Sequence, residues 1–271
     1  MMVRDTLVTW AGAVAAMMLT LAAGPGPVQA GIIPVANGSF ESPDAGASPF
    51  FALPEIDAWV RSGPTYSIPE LGQSGMLDTG VFLNQPVDDP THIDGVDGRQ
   101  MAFIGAQDPS NLEPGQPPIG LHQSLSRPYE QGMLYRLTIG VAPASALAGR
   151  DPRTDNPHDP DPDAPPAVLR FRLAWEQDGQ RLEVAAAEVL STQLEQNRVL
   201  DFELSTPLVK ASDPWLDEPI VIDIMPAHGL SGFWNVDHVR VVQIPEPSSA
   251  AALLALLATG LLRRARLRQP D

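Results

Sequence analysis

The sequence predicts an all-β body, a jelly-roll type antiparallel β-sandwich, flanked by an N-terminal signal helix and a C-terminal membrane helix. Three observations predict it. Short runs through the middle of the chain alternate apolar and polar residues at period two, the mark of half-buried strands. Turn formers separate these runs, in a chain of 271 residues with 29 prolines, 22 glycines and no collagen-like period. Each end carries an apolar stretch that breaks the alternation, and the second is followed by four arginines.

Residues 1–30 read as a secretory signal. Arg4 supplies a weak positive start, residues 10–23 are mostly apolar, and Val28-Gln29-Ala30 offers small-residue cleavage chemistry after Ala30. A retained membrane anchor is the other reading, and Gly24-Pro25-Gly26-Pro27 argues against it by breaking the helix early.

The body, 31–243, follows. Leu121 opens one apolar run. Tyr135, Leu137, Ile139 and Val141 share one strand face. Leu169, Phe171, Leu173 and Trp175 share another, with Arg170 and Arg172 opposite. Residues 182–190, then Leu200, Phe202 and Leu204, then Ile220, Ile222 and Ile224, continue the pattern. Residues 185–196 also fit a short helix. Many such strands joined by glycine and proline predict a sandwich. An acidic loop at 148–166 interrupts them with five aspartates and six prolines, and cannot bury surface. Asp159, Asp161 and Asp163 suggest calcium. An EF-hand, however, needs glycine and glutamate where Ala164 and Arg170 stand.

Charge narrows the partners. Asp5, Glu246 and Asp271 are the only acids outside 31–244, and Arg4 and the four terminal arginines the only bases. The body therefore carries 30 acids against 12 Lys+Arg, or -18. Such a surface repels nucleic acid and anionic lipid. With no cysteine, disulfides, thiolate metal sites and a cysteine lipid anchor are excluded.

The far end, 244–271, places Pro245-Glu246-Pro247 before an apolar run at 250–262. Arg263, Arg264, Arg266 and Arg268 follow. Basic residues stay on the cytoplasmic side, and the prolines keep the preceding stretch extended and open to a processing enzyme. Thirteen apolar residues are short for a span, which the flanking arginines can extend by snorkelling. A plain helix packed on the body is the alternative, and four arginines fit it poorly. The three parts in order resemble the PEP-CTERM sorting signal. That resemblance implies export through the secretory translocon and signal peptidase, then removal of the tail by an exosortase-type membrane protease. The protein is expected in the inner membrane as precursor, touching it only through this transient helix. It is then expected at the cell surface or in the extracellular matrix.

The body resembles galactose-binding-like jelly rolls, the architecture of many carbohydrate-binding modules. The likeness rests on Asn37-Gly38-Ser39-Phe40-Glu41 as a first strand, Trp59, and Asp97-Gly98 before a strand at 100–104. It continues with Leu121 to Leu125, the glycine-then-tyrosine entry at 132–141, and Asn235 to Val239 in the last strand. The stretch from Gly63 to Asp94 and the acidic loop depart from it. Asp237 shares the core parity of Val239 and Val241, and a core-side carboxylate is costly unless paired or bound to a cation. In the jelly rolls it resembles, the first and last strands lie side by side and a structural calcium often sits there. Carried over, Glu41 and Asp237 become calcium ligands, with carbonyls completing the shell. The other reading leaves Asp237 solvated or paired with a base such as Arg240. Of the tryptophans, Trp175 belongs in the core, Trp59 plugs an end, and Trp215 and Trp234 are candidate glycan platforms.

No zinc helix, nucleophile elbow or phosphate loop is present, and the histidines have no metal-ligand spacing. His92-Ile93-Asp94-Gly95 and Asp97-Gly98 read as hairpin turns. The expectation is therefore an exported, non-enzymatic surface or matrix protein with exopolysaccharide as candidate ligand. Two other readings stay open. One is a purely structural or protein-binding component. The other is a secreted glycoside hydrolase with its paired acids far apart in sequence.

Overall fold

The computed structural model describes residues 30–47, 52–53, 55–63, 79–105, 118–143, 167–228 and 233–246. The expected signal segment before Ala30, the acidic loop, Pro247, the apolar run and the terminal arginines lie outside them. Among the described residues no helix is long and apolar enough to cross a membrane.

Twelve strands are described: β1 (Gly31–Ile33), β2 (Ala52–Leu53), β3 (Val60–Ser62), β4 (Thr79–Leu83), β5 (Gln100–Gly105), β6 (Gly120–Pro128), β7 (Met133–Pro143), β8 (Val168–Gln177), β9 (Gln180–Leu190), β10 (Leu200–Ser205), β11 (Pro219–His228) and β12 (Phe233–Pro245). One sheet runs β10-β7-β12-β5-β4-β2, with β1 also paired to β12. The other runs β3-β6-β11-β8-β9. Every strand pair is antiparallel. The all-β, two-sheet expectation therefore holds. Residues 185–190 belong to β9, and only Ser191–Gln193 turn helically, as one short 3-10 turn.

The alternating strands bury the predicted faces. Leu137, Ile139 and Val141 of β7 meet Leu169, Phe171 and Leu173 of β8 and Ile220, Ile222 and Ile224 of β11 in the main core. Tyr129 and Tyr135 close one end of it edge to face, ring centres 5.1 Å apart. Their hydroxyls donate to Ala174 O and Pro128 O. At β5 every residue is buried, because both faces are covered. Ala102 and Ile104 face the main core, while Met101 and Phe103 join Phe82, Ile93 and Val199 in a second cluster. The segment around Asp94 forms this outer layer. Asp94 N–H donates to Asn197 O and Val199 N–H to Asp94 O. It is thus a cover over the sheet, built into the long connection of the β4–β5 hairpin, and not the tight turn expected at 92–98.

Residues 37–41 are not a strand. Asn37 and Phe40 sit at φ 51° and 54°, in a turn. The true first strand is β1, which pairs with the last, Gly31 opposite Gln243. Asn37 holds the turn with its side chain, donating to Ser42 O and Asp57 O and accepting from Ser42 N–H. Phe40 is fully buried against Trp59, whose indole N–H donates to Asn37 O. Trp59 is the end plug that its position predicts.

At the far end β12 runs to Pro245, which pairs with Met133, and Glu246 N–H donates to Gly132 O. Pro245 is extended, as expected, but half-buried and knit to the sheet.

Candidate functional site

Two polar centres lie in the sandwich, one on each sheet. The first is built around Asp237. β12 bulges between Asp237 and Arg240, with His238 at φ 55°. The bulge keeps Asp237 fully buried and Val239 on the core side. Gly140, opposite Asp237 on β7, makes room: a Cβ there would lie 2.6 Å from Val199 Cγ1 and 3.2 Å from Asp237 O.

Asp237 and Glu41 grip the same turn. Asp97 N–H donates to Asp237 Oδ2 at 2.7 Å. Arg99 and Gln100 N–H donate to Glu41 Oε1 at 2.8 and 2.7 Å. Gly98, at φ 98°, must be glycine, since a Cβ would sit 2.6 Å from the Glu41 carboxylate. Burial pushes Asp237 up to about 8, and the charges of Asp97 and Glu41 push the same way. Asp237 Oδ1 has no hydrogen-bond partner. Arg240 does not neutralise it. That guanidinium pairs with Asp201 at 2.5 Å, and His238 stands between Asp201 (3.2 Å) and Asp237 (3.6 Å). The solvated and Arg240-paired readings of Asp237 are thereby corrected.

These residues fit a hard cation. Asp237 Oδ1 is bare and buried, the Asp97 and Glu41 carboxylates and the His238 imidazole are its charged or titratable neighbours, and carboxylate oxygens are the donors calcium takes. Among the described residues no group of three or more His, Asp or Glu is arranged for a metal, so backbone carbonyls or water would have to complete a shell begun by Glu41 and Asp237. A groove of about 250 Å³ lies alongside, lined by Ile33, Val35, Ser39, Asp97, His238 and Arg240 among others.

The second centre escaped the sequence. Asp223 sits on β11, the middle strand of the five-stranded sheet, on the face opposite Ile222 and Ile224. It is fully buried, paired in register with His122 on β6 and Arg172 on β8. Arg172 Nε and Nη2 donate to Asp223 Oδ2 at 3.1 and 2.7 Å, and Arg181 Nε to the same oxygen at 3.1 Å. Arg181 Nη1 lies 3.3 Å from His122 Nε2. Burial, then the Arg181 charge, hold His122 below its ordinary range, so it is neutral. Asp223 Oδ1 and His122 Nδ1 have no partner. An acid on the polar face of an alternating strand gives no sequence signal of its own.

Of the two expected glycan platforms, Trp234 does not stand. Trp234 is fully buried in the main core, because it lies on β12 between β7 and β5. Trp215 is half-buried, packed against that core, with its indole nitrogen buried. Trp175 is core, as expected. Of the sorting residues, Pro245 and Glu246 are described; Pro247, Arg263, Arg264, Arg266 and Arg268 are not.

No protein-family model and no curated protein matches the chain. Solved structures do. A cyclase from Fischerella sp. TAU superposes with a TM-score of 0.56 at 18% identity, covering 81% of this chain and all of that one. A Stig cyclase of the same organism, bound to (3Z)-3-(1-methyl-2-pyrrolidinylidene)-3H-indole, gives 0.56 at 20% identity, covering 80% and 99%. A carbohydrate-binding module, TmCBM61 with β-1,4-galactotriose, gives 0.41 at 11% identity, covering 78% and 97%. The cyclase likeness is one of fold. The expectation of a non-enzymatic body is corrected at that level: this sandwich is one that enzymes also use, as the Fischerella cyclases show.

Proposed function

We propose that the chain is an exported protein whose jelly roll is stabilised by calcium at Glu41 and Asp237. It works at the cell surface or in the extracellular matrix, in contact with exopolysaccharide. A PEP-CTERM-type tail, Pro245-Glu246-Pro247 with the apolar run and arginines behind it, sorts it there through an exosortase-type protease. The observation that carries the reading is the bare, buried Asp237 Oδ1 among negative neighbours. A carboxyl so placed either keeps its proton or takes a cation, and extracellular calcium sites of modest affinity fill at about 0.1–1 mM. The tail sequence supports the route.

The test has two arms. Mass spectrometry of the protein from its native envelope should find new termini after Ala30 and before the arginines. Retention on host exopolysaccharide should require millimolar calcium and vanish in EGTA. An intact basic terminus, or recovery from the cytosol, ends the sorting reading; no retention with calcium ends the glycan reading.

A second reading is favoured by the cyclase fold: the body is itself an enzyme. Turnover of host exopolysaccharide, or of small cyclisable substrates, by the calcium-loaded protein tests it.

A further inference from the structure

We infer that the outer face of the five-stranded sheet holds a binding site for a neutral hydroxyl-bearing ligand, read by Asp223 Oδ1 and His122 Nδ1. The hydrogen-bond inventory of the buried centre points there. A carboxylate has about four acceptor positions. In Asp223 all three guanidinium contacts fall on Oδ2, and Oδ1 receives none although the residue is fully buried. A bare buried acceptor is costly, so a fold retains it where a donor arrives.

His122 supplies the complementary group. Arg181 is a donor only, so its contact with Nε2 makes that nitrogen the acceptor and leaves the proton on Nδ1. Nδ1–H is then a donor without an acceptor. His122 and Asp223 are directly opposed on adjacent strands, which puts their Cβ atoms about 5 Å apart. One free acceptor beside one free donor matches a hydroxyl, or a vicinal pair, which both gives and takes a hydrogen bond. An anion is repelled by bare Oδ1. An ammonium is repelled by the two guanidiniums.

Arg181 is the cover. It lies on β9, the edge of the sheet, and keeps 21% of its side-chain surface exposed. Its register partner on β8 is Glu176, an exposed carboxylate to which it can swing. Arg172 stays on Oδ2 when it does, so Asp223 keeps a counter-charge, and the bound hydroxyl then holds the proton on His122 Nδ1 by accepting from it. The site deepens the glycan contact proposed above, and rests on that reading for the ligand's identity as a sugar.

The experiment follows the imidazole Nδ1–H signal of His122 by ¹⁵N-edited NMR in the full chain with calcium. Methyl glycosides of neutral hexoses are titrated, with glucuronate alongside. A saturable shift with a neutral glycoside is expected, at least tenfold weaker with glucuronate. Asp223→Asn, which turns the free oxygen position towards an amide donor, should weaken binding at least tenfold. Arg181→Gln should tighten it at least threefold by removing the cover. If Asp223→Asn does not fold, Arg181→Gln decides alone. No saturable shift, glucuronate binding as well as the neutral sugars, or unchanged affinity in Arg181→Gln overturns the inference. Polymer retention that survives Asp223→Asn undiminished removes this site and leaves the glycan reading standing.

Discussion

Stripping calcium should make this protein lose stability as pH rises, and Asp237→Asn should abolish that loss. In the fold, burial lifts Asp237 to about 8. In the unfolded chain the same group titrates near 4. Between those values the folded protein holds a proton that the unfolded chain has released. Stability therefore falls with rising pH across this window and levels off above it. One such proton is worth about 1.4 kcal/mol per pH unit. From pH 5 to pH 7 the loss is about 3 kcal/mol, or roughly 5–10 °C in Tm for a body of this size. Calcium opposes it by binding the ionised form, adding about 3 kcal/mol at a hundred times its Kd. Thermal melts followed by circular dichroism at pH 5, 6, 7 and 8, in EGTA and in 5-fold steps of calcium, measure both effects. The reasoning is refuted if wild type and Asp237→Asn show the same pH slope in EGTA. It is equally refuted if calcium raises both by the same amount.

Three further outcomes follow from packing. Gln100→Ala should cost about 2–4 kcal/mol in urea denaturation, because its buried amide donates to Phe40 O and Pro43 O and accepts from Ala45 N–H. Gly140→Ala should cost about 1–3 kcal/mol through its clash with Val199, and should weaken calcium binding measured by calorimetry, because the new methyl group also presses on the Asp237 backbone. Trp234→Ala should cost about 3–5 kcal/mol while leaving glycan retention of the folded fraction unchanged, as befits a core side chain.

The long strands were legible because every second residue of each faces the main core. That period-two recurrence stands out in β7, β8 and β11 even though the opposite faces of β7 and β11 are largely buried as well. The turn at 37–41 was not, because Phe40 reaches the core from a positive-φ position and so looks like a strand residue. Trp234 was misread for a related reason. Proximity to a loop in sequence says nothing about a side chain that enters the sheet one residue later. Asp237 was legible by parity alone, but the bulge that isolates it from Arg240 was not. Asp223 was invisible because its burial depends on Arg181, 42 residues away and on another strand. Pairing across a sheet is non-local, and alternation carries no information about it.

The end of β12 sets a distance. Glu246 is still hydrogen-bonded to Gly132, and Pro247, Ser248 and Ser249 alone precede the apolar run that starts at Ala250. Three residues reach at most about 10 Å. If that run is lodged in a bilayer, the precursor has almost no tether: the rim around Glu130 and Gly132 stands within about a Debye length of the headgroups. A body of charge -18 is then crowded against a surface that, where anionic, pushes it away. Cutting the chain would release that repulsion, so departure from the membrane would be downhill. A six-residue Gly-Ser insert after Glu246 should relax it, and should slow detachment of the cut product in flotation assays.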